Sequence, residues 1–261
     1  MKFHWMHRND ENSIEYLRSL SCKLDSSFYN SVLFVYHSKE DDFLTKAVHI
    51  MSETQKIKYM IAIRTYAISP EYLSMICRSI NNIIPNKIML NIVSGDLHEE
   101  ETSIDDLVDI SNLVDSQDKR IEYTDRWMSK FTHMNPGIDI VMGGHSSKTL
   151  DLANKYNAIP LSMVDKYLAS KDQSSGNQMV AIGVIITETE EEAEDFHQKY
   201  LNIYEIPKYI YGTKENFKSK IKYLEKNGVT DVLLHGHPMD NNANRIHDTI
   251  REMMEEENGI K

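Results

Sequence analysis

Short apolar runs rich in valine, isoleucine and tyrosine alternate with amphipathic stretches along most of the chain. This alternation is typical of repeated β-α units whose strands form a parallel sheet. The pattern predicts strands at Lys2–Met6, Ser31–Tyr36, Lys58–Arg64, Lys87–Val93, Asp139–Met142, Ala158–Met163, Met179–Thr187 and Asp231–Leu234. Eight parallel strands are the number that closes a TIM barrel.

The amphipathic stretches between these runs predict helices at Ile14–Leu24, Phe43–Glu53, Pro70–Ile84, Lys119–Thr132, Ser147–Tyr156, Glu190–Leu201 and Asn216–Asn227. Ser69 before Pro70 and Thr189 before a glutamate-rich turn are typical helix starts, and Gly228 is a typical helix end. An open doubly wound sheet would show the same alternation. Its G-x-G-x-x-G fingerprint follows none of the predicted strands, so we predict one (β/α)8 TIM-barrel domain over residues 1–261.

Composition narrows the range of functions. A chain of 261 residues with 41% hydrophobic residues can build one barrel, and its net charge of -11 disfavours nucleic acid and anionic lipid as partners. Cys22 and Cys77 both lie in helical patterns, which suits a reducing compartment and no disulfide framework. No apolar signal segment or membrane-length run is present. We therefore expect a cytoplasmic protein.

Ligands of TIM barrels bind where strands end and loops begin. The most informative strand end is Gly143, Gly144, His145, Ser146 and Ser147. Two glycines let backbone N–H groups approach a ligand, and the helix start that follows favours an anion such as phosphate. These five residues are therefore candidates for cofactor binding. An ordinary β-α turn with Ser146 as N-cap would have the same sequence.

A second candidate is the segment Asn91–Asp96 at the end of the fourth predicted strand, with Ser94 and Gly95 as its candidate binding residues. Its hydroxyl and open backbone could contact a planar ring, although an ordinary strand exit would also contain such residues. Histidines occur at several strand ends: His7, His37, His145, His235 and His237. Only His235 and His237 have a spacing that places two imidazoles on one side of a strand, and no carboxylate partner follows them. We predict no metal site.

Taken together, these segments resemble the flavin-dependent luciferase-like monooxygenases, and most closely the alkanesulfonate monooxygenase branch. Leu90–Gly95 is similar to the family's Leu-Asn-Val-Val-Thr-Gly strand, and Gly143–Ser147 resembles its Gly-Gly-Ser-Ser loop. Met1–His7, the block from Thr54 to Pro70, and Gly228–Gly236 also resemble family segments. The resemblance extends over almost the whole chain.

The resemblance implies a barrel that binds FMN noncovalently, as FMNH2 delivered by a separate flavin reductase, and uses O2 to oxygenate a small organic substrate. It places Ser146 and Ser147 at the FMN phosphate, and Ser94 and Gly95 against the isoalloxazine. His7 is implied to face the reaction space. The candidates for polar catalytic work are His7, Arg64 and His235.

Family members commonly dimerise through the helices that follow the second and third strands. The resemblance therefore implies a homodimer. Apolar residues on the two predicted helices could supply the dimer face, or could equally pack against the barrel: Phe43, Ala47, Ile50, Tyr72, Met75 and Ile76.

The chain departs from the alkanesulfonate branch at several site positions. Tyr36–Glu40 lacks that branch's cysteine, Val180–Gly183 lacks its arginine and histidine, and Gln117 and Ile121 stand where it has a histidine and a tyrosine near the phosphate. The insertion that supplies its lid is largely missing within residues 187–231. These departures leave three alternatives open: a non-catalytic or sequestering flavin-binding barrel, a deazaflavin-dependent oxidoreductase, and a partner-binding barrel without flavin.

Overall fold

The computed structural model describes residues 1–7, 13–35, 42–93, 116–134, 137–144, 146–169, 177–200, 209–236, 242–257 and 259. Its strands are β1 (Lys2–Met6), β2 (Tyr29–Phe34), β3 (Lys58–Arg64), β4 (Ile88–Val93), β5 (Asp139–Gly143), β6 (Ile159–Met163), β7 (Met179–Thr187), β8 (Tyr209–Thr213) and β9 (Asp231–Gly236). Its helices are α1 (Ile14–Asp25), α2 (Phe43–Met51), α3 (Pro70–Ile83), α4 (Gln117–Met134), α5 (Ser147–Lys155), α6 (Val164–Ala169), α7 (Glu190–Tyr200), α8 (Lys214–Lys226) and α9 (Asn242–Glu257).

Parallel strands alternate with helices in the order of a (β/α)8 TIM barrel, which confirms the predicted fold class. Each of the eight predicted strands is present, with ends shifted by up to two residues. Three further elements were not predicted from the sequence, namely the strand β8 and the helices α6 and α9. No helix in the described ranges is both long enough and apolar enough to cross a bilayer.

The start and end signals of several helices act as predicted. Ser69 Oγ accepts a hydrogen bond from Tyr72 N at 3.1 Å, with Pro70 in the first turn of α3. Thr189 Oγ1 likewise accepts one from Glu192 N at 3.1 Å at the start of α7. At the end of α8, Gly228 has φ +94°, a conformation that glycine adopts without strain. Local side-chain chemistry therefore fixes these helix boundaries.

The residues divide into two compact units. One consists of residues 7–25 and 31–161, and we call it the N-terminal unit. The other, the C-terminal unit, consists of residues 1–6, 26–30 and 162–261. The single-domain organisation remains a prediction.

In the N-terminal unit, parallel pairing joins β2 to β3, β3 to β4, β4 to β5 and β5 to β6. Phe34 on β2 packs against Phe43 of α2 and Tyr59 of β3, with ring centroids 5.7 and 5.8 Å away. Successive side chains of a strand point to opposite sides. The side of these strands that carries Phe34 and Tyr59 therefore faces the helices, and the residues between them face away.

In the C-terminal unit, β9 pairs with β1 and β7, and β7 pairs with β8. Gly183 and Val184 of β7 pair with both β8 and β9, so these two strands lie on opposite sides of β7. Trp5 packs against His247 of α9 at a centroid distance of 4.7 Å. On the side of the strands away from α9, His4 Nε2 lies 2.9 Å from Asp231 Oδ1, and both side chains are buried.

The first residue of α9 continues the hydrogen bonding of β7 beyond the end of β9. Asn242 Nδ2 donates to Val184 O and its Oδ1 accepts from Ile186 N, both at 2.9 Å. Arg245 adds a bond to Ile186 O at 3.0 Å. The Asn242 side chain is 1% exposed, so a carboxamide takes the place of a neighbouring strand at this edge.

Replacing Asn242 with alanine should destabilise the protein by roughly 2–4 kcal/mol, because two buried backbone groups of β7 would lose their partners. The measurement is the urea midpoint of unfolding. Asn154→Ala, the same change at an exposed position of α5, should stay within about 0.5 kcal/mol of wild type. Equal midpoints for the two variants would contradict this role of Asn242.

Candidate functional site

The register of β3, β4 and β5 places several predicted and unpredicted residues on one side of the sheet. Ala62 pairs with Asn91 and Asn91 with Val141, while Arg64 pairs with Val93 and Val93 with Gly143. These residues point away from the helix-facing side of Phe34 and Tyr59, because side chains alternate along each strand. Arg64, Asn91 and Gly143 thus share the inner side of the N-terminal unit, near the carboxyl ends of its strands.

Asn91 opens the second candidate segment of the sequence and lies on this inner side. It is 5% exposed, and its Oδ1 accepts no hydrogen bond from any described residue. A buried carboxamide oxygen without a donor costs free energy that a bound donor would recover. The only sequence signal is an asparagine inside an otherwise apolar strand, Ile88–Val93.

Gly143 and Gly144 differ in how strongly the backbone and the neighbouring atoms require a glycine. A Cβ on Gly143 would lie 3.4 Å from Asn91 Oδ1, in ordinary van der Waals contact, and its φ is not in the left-handed region. Gly144 has φ +143°, and a Cβ there would lie 2.8 Å from Thr149 Cγ2. Gly144 is therefore required by the turn into α5, whereas the position of Gly143 would accept a Cβ in contact with Asn91.

Ser146 is the N-cap of α5, as one of the two sequence interpretations predicted. Its Oγ accepts a hydrogen bond from Thr149 N at 3.2 Å and lies 2.9 Å from Thr149 Oγ1. Ser147, the first residue of the helix, has an exposed side chain. The first N–H groups of a helix have no acceptor within the helix and attract anions. The cap and an anion site can therefore coexist, with Ser147 nearer to solvent.

Ion pairs hold α5 against α4 at both ends. Lys148 Nζ lies 2.7 Å from Asp118 Oδ2 at the two helix starts. Near the other end, Lys155 Nζ and Tyr156 Oη each donate to Asp125 Oδ1 at 2.6 Å. The hydrogen bonds from Lys155 and Tyr156 lower the pKa of Asp125. These contacts fix the direction in which the start of α5 points.

Of the three predicted catalytic residues, His7 and Arg64 lie on opposite sides of the sheet in the N-terminal unit. His7 is 1% exposed, and its ring packs against those of Tyr16, Phe34 and Phe43 at 5.7, 5.9 and 6.2 Å, on the helix-facing side of β2. Arg64 is 8% exposed and lies on the inner side with Asn91. The catalytic role of His7 remains a prediction, but its surroundings are those of a packed aromatic side chain.

His235 lies in the C-terminal unit, at the end of β9, and is 9% exposed. It pairs with Gly183 of β7. Its neighbour Gly236 points toward Trp5 and Ile246, since a Cβ there would lie 3.3 Å from each. His235 therefore points away from α9.

Three predicted cofactor-binding residues, Ser94, Gly95 and His145, lie outside the described residues. The same is true of His37 and His237. Within the described ranges, no group of three or more histidine, cysteine, aspartate or glutamate side chains could hold a metal ion.

Solved structures with the same fold match the chain over nearly its whole length. The oxygenating constituent of 3,6-diketocamphane monooxygenase from Pseudomonas putida, in complex with FMN, matches with a TM-score of 0.70 and 12% identity, over 98% of this chain and 96% of that one. EDTA monooxygenase from Chelativorans sp. BNC1 matches with a TM-score of 0.73 and 9% identity, over 98% and 94%.

A third structure, coenzyme F420-dependent tetrahydromethanopterin reductase from Methanopyrus kandleri, matches with a TM-score of 0.67 and 13% identity, over 96% and 97% of the two chains. Such likeness at low identity shows the fold. No family model matches the chain, and no curated protein matches it.

The two glycines at the end of β5 give a matched pair of variants. Gly144→Ala should destabilise the protein by roughly 1–3 kcal/mol, because alanine at φ +143° is strained and its Cβ would overlap Thr149. Gly143→Ala should stay within about 1 kcal/mol of wild type. Urea unfolding of both variants tests the difference, and a larger loss for Gly143→Ala would refute the assignment of Gly144 to turn geometry.

Proposed function

We propose that the protein is an FMN-dependent monooxygenase that uses O2 to oxygenate a small organic substrate, with reduced FMN supplied by a separate flavin reductase in the cytoplasm. The proposal joins the sequence resemblance to luciferase-like monooxygenases with the fold. Monooxygenases, one of them in complex with FMN, are among the structures that match the chain.

The observation that carries the proposal is the arrangement at the ends of β4 and β5. Asn91, whose buried carboxamide oxygen accepts no hydrogen bond from any described residue, lies beside Gly143, and the next residues lead into the start of α5. A flavin mononucleotide has the matching parts, a planar ring with N–H groups and a phosphate. The residues present therefore fit this cofactor.

The residues of the α5 turn would hold the phosphate. The Ser147 hydroxyl would donate a hydrogen bond to a phosphate oxygen, and the first N–H groups of α5 would donate to the others. Ser146 would act mainly by capping the helix, since Thr149 N already donates to it. Gly143 and Gly144 would let the ligand approach the backbone, and His145 stays a predicted cofactor contact outside the described residues.

The bound reduced flavin supplies the two electrons that convert O2 and substrate into oxygenated product and water. The overall reaction balances as FMNH2, O2 and substrate giving FMN, product and water. Arg64 would hold a permanent positive charge on the inner side, where it can stabilise negative charge that develops on oxygen. His235 and His7, the other two candidates from the sequence, stay predictions as proton donors.

The main alternative concerns the cofactor. A deazaflavin-dependent oxidoreductase is among the matching structures, and a deazaflavin would transfer hydride in place of oxygenation. A sequestering protein would bind oxidised flavin without consuming O2. The flavin titration described next separates these outcomes.

Wild-type protein should bind both FMN and photoreduced FMNH2 in a titration that is monitored by flavin absorbance. FMNH2 should bind more tightly than FMN, and the bound FMNH2 should then react with O2. Tight FMN binding without O2 consumption would favour the sequestering protein, and a preference for F420 would favour the deazaflavin enzyme. No binding of any of these cofactors would refute the flavin assignment.

The phosphate site is tested in the same titration with Ser147→Ala. FMN affinity should fall roughly tenfold or more, because a hydrogen bond to a charged group is lost, while the affinity for riboflavin, which lacks the phosphate, should not change. Thr149→Ser is the control, because it keeps the hydroxyl at the start of α5. An equal loss for FMN and riboflavin would contradict a phosphate contact.

We also propose a homodimer that forms through α3. Of the apolar residues considered for a dimer face, Phe43, Ala47 and Ile50 are buried within the chain. Tyr72 and Met75 are 57% and 54% exposed on α3, and Ile83 on the same helix is 77% exposed. An exposed apolar stripe of this kind is typical of an interaction surface.

Met75→Glu should convert the dimer to a monomer, because a charge would be buried in the interface. Light scattering coupled to size exclusion measures the mass, which is 30.3 kDa for a monomer. Tyr223→Glu, at a 48% exposed aromatic residue on α8, should leave the dimer intact. A wild-type protein with the mass of a monomer would contradict the proposed homodimer.

A further inference from the structure

Trp5, Tyr29 and His247 form an aromatic cluster in the C-terminal unit that the proposed oxygenation does not use. The ring centroids of Trp5 and His247 are 4.7 Å apart, those of Tyr29 and His247 are 5.3 Å apart, and those of Trp5 and Tyr29 are 5.9 Å apart. Trp5 and Tyr29 are 7% and 6% exposed, whereas His247 on α9 is only partly buried. The cluster therefore joins two electron-rich rings to an imidazole that can exchange protons with solvent.

The phenol of Tyr29 is hydrogen-bonded to a base. Its Oη lies 2.8 Å from His247 Nδ1, and in the imidazole tautomer with the proton on Nε2 the phenol donates to Nδ1. Burial raises the pKa of Tyr29 well above its ordinary value, so the phenol keeps its proton at neutral pH. Loss of one electron turns a phenol into a strong acid. The proton of an oxidised Tyr29 therefore has an acceptor at hydrogen-bond distance.

A second buried tyrosine of the chain differs from Tyr29 in this respect. Tyr59 is 0% exposed, and its Oη lies 3.2 Å from the hydroxyl of Thr54, a group that takes up no proton at neutral pH. The other tryptophan of the chain, Trp127, stacks on Phe131 at 5.1 Å, and phenylalanine carries no proton that oxidation would release. Burial and aromatic contact thus recur elsewhere, and the imidazole partner distinguishes Tyr29.

We propose that Tyr29 is a one-electron donor that reduces oxidising radicals, with His247 as its proton acceptor and Trp5 as the ring through which the electron leaves. A hydroxyl radical takes one electron from Trp5 and becomes hydroxide. Tyr29 then gives one electron to the oxidised Trp5, and its phenol proton moves to His247 Nδ1, which leaves a neutral tyrosyl radical and an imidazolium. A thiolate restores Tyr29 by giving one electron and becoming a thiyl radical, while His247 returns the proton.

The source of the radicals rests on the proposed function. Reduced flavin and O2 that react without substrate give oxidised flavin and hydrogen peroxide. One further electron from reduced flavin splits the peroxide into hydroxide and a hydroxyl radical. Tyr29 would then spare the binding site, because a radical held on a buried phenol can be reduced again.

The electron transfer is tested by flash photolysis of the flavin-free protein with ruthenium tris-bipyridine and a sacrificial electron acceptor, and the radicals are identified by freeze-quench EPR. Wild type should give a neutral tyrosyl radical, which should form more slowly in D2O because a proton moves. Tyr29→Phe and His247→Phe should each lose most of this signal. Tyr59→Phe is the matched control and should keep it, because the phenol that it removes is paired with a hydroxyl.

A tyrosyl signal of wild-type size in Tyr29→Phe or in His247→Phe would overturn the inference, and His247→Phe decides alone if Tyr29→Phe does not fold. The protective role is measured with FMNH2 and O2 in the absence of substrate. There, Tyr29→Phe should lose its flavin affinity faster than Tyr59→Phe, and equal rates would contradict this role. Failure of wild type to bind flavin would instead refute the proposed function, and the flash experiment, which uses no flavin, would still decide the inference.

Discussion

The strict alternation of side chains along parallel strands is the constraint on which the site depends. A shift of one residue in the pairing of β4 with its neighbours would turn Asn91 toward the helices and bring Leu90 or Ile92 to the inner side. Leu90 and Ile92, both fully buried on the helix-facing side of β4, oppose such a shift, because it would bring Asn91 into their apolar surroundings. Hydrophobic packing on one side of the sheet therefore positions polar chemistry on the other.

The polar groups of the N-terminal unit divide between folding and binding. Ser146 and Thr149 bond to each other at the start of α5, and Asp125 joins α4 to α5. Asn91 has no such task among the described residues. Active sites commonly retain groups that are unfavourable for folding, because those groups are arranged for a ligand. The carboxamide oxygen of Asn91 is unfavourable for folding in this sense. The Ser146 hydroxyl, in contrast, stabilises the fold by capping α5.

Sequence periodicity predicted the strands well because each of them is a buried apolar run bounded by turn residues. It missed β8, Tyr209–Thr213, since a five-residue strand that includes Gly212 depends on its pairing with β7 and carries little local signal. For α9 a signal was available, because Ile246, Ile250 and Met253 recur at helical spacing and are buried.

The candidate site was harder to predict than the fold. Glycines and hydroxyls at a strand end are visible in the sequence, so the turn into α5 was found. The direction of His7 was not visible, because it follows β1 and its ring turns toward Tyr16 and Phe43. Asn91 Oδ1 accepts no hydrogen bond from any described residue, and no sequence pattern records such a fact.

Gly143 illustrates a further consequence of this arrangement. Its backbone conformation is open to any amino acid, and a Cβ there would lie in ordinary van der Waals contact with Asn91 Oδ1. Side chains of graded size at this position, from alanine to valine, would therefore measure how far the neighbouring Asn91 and Val93 side chains can move aside.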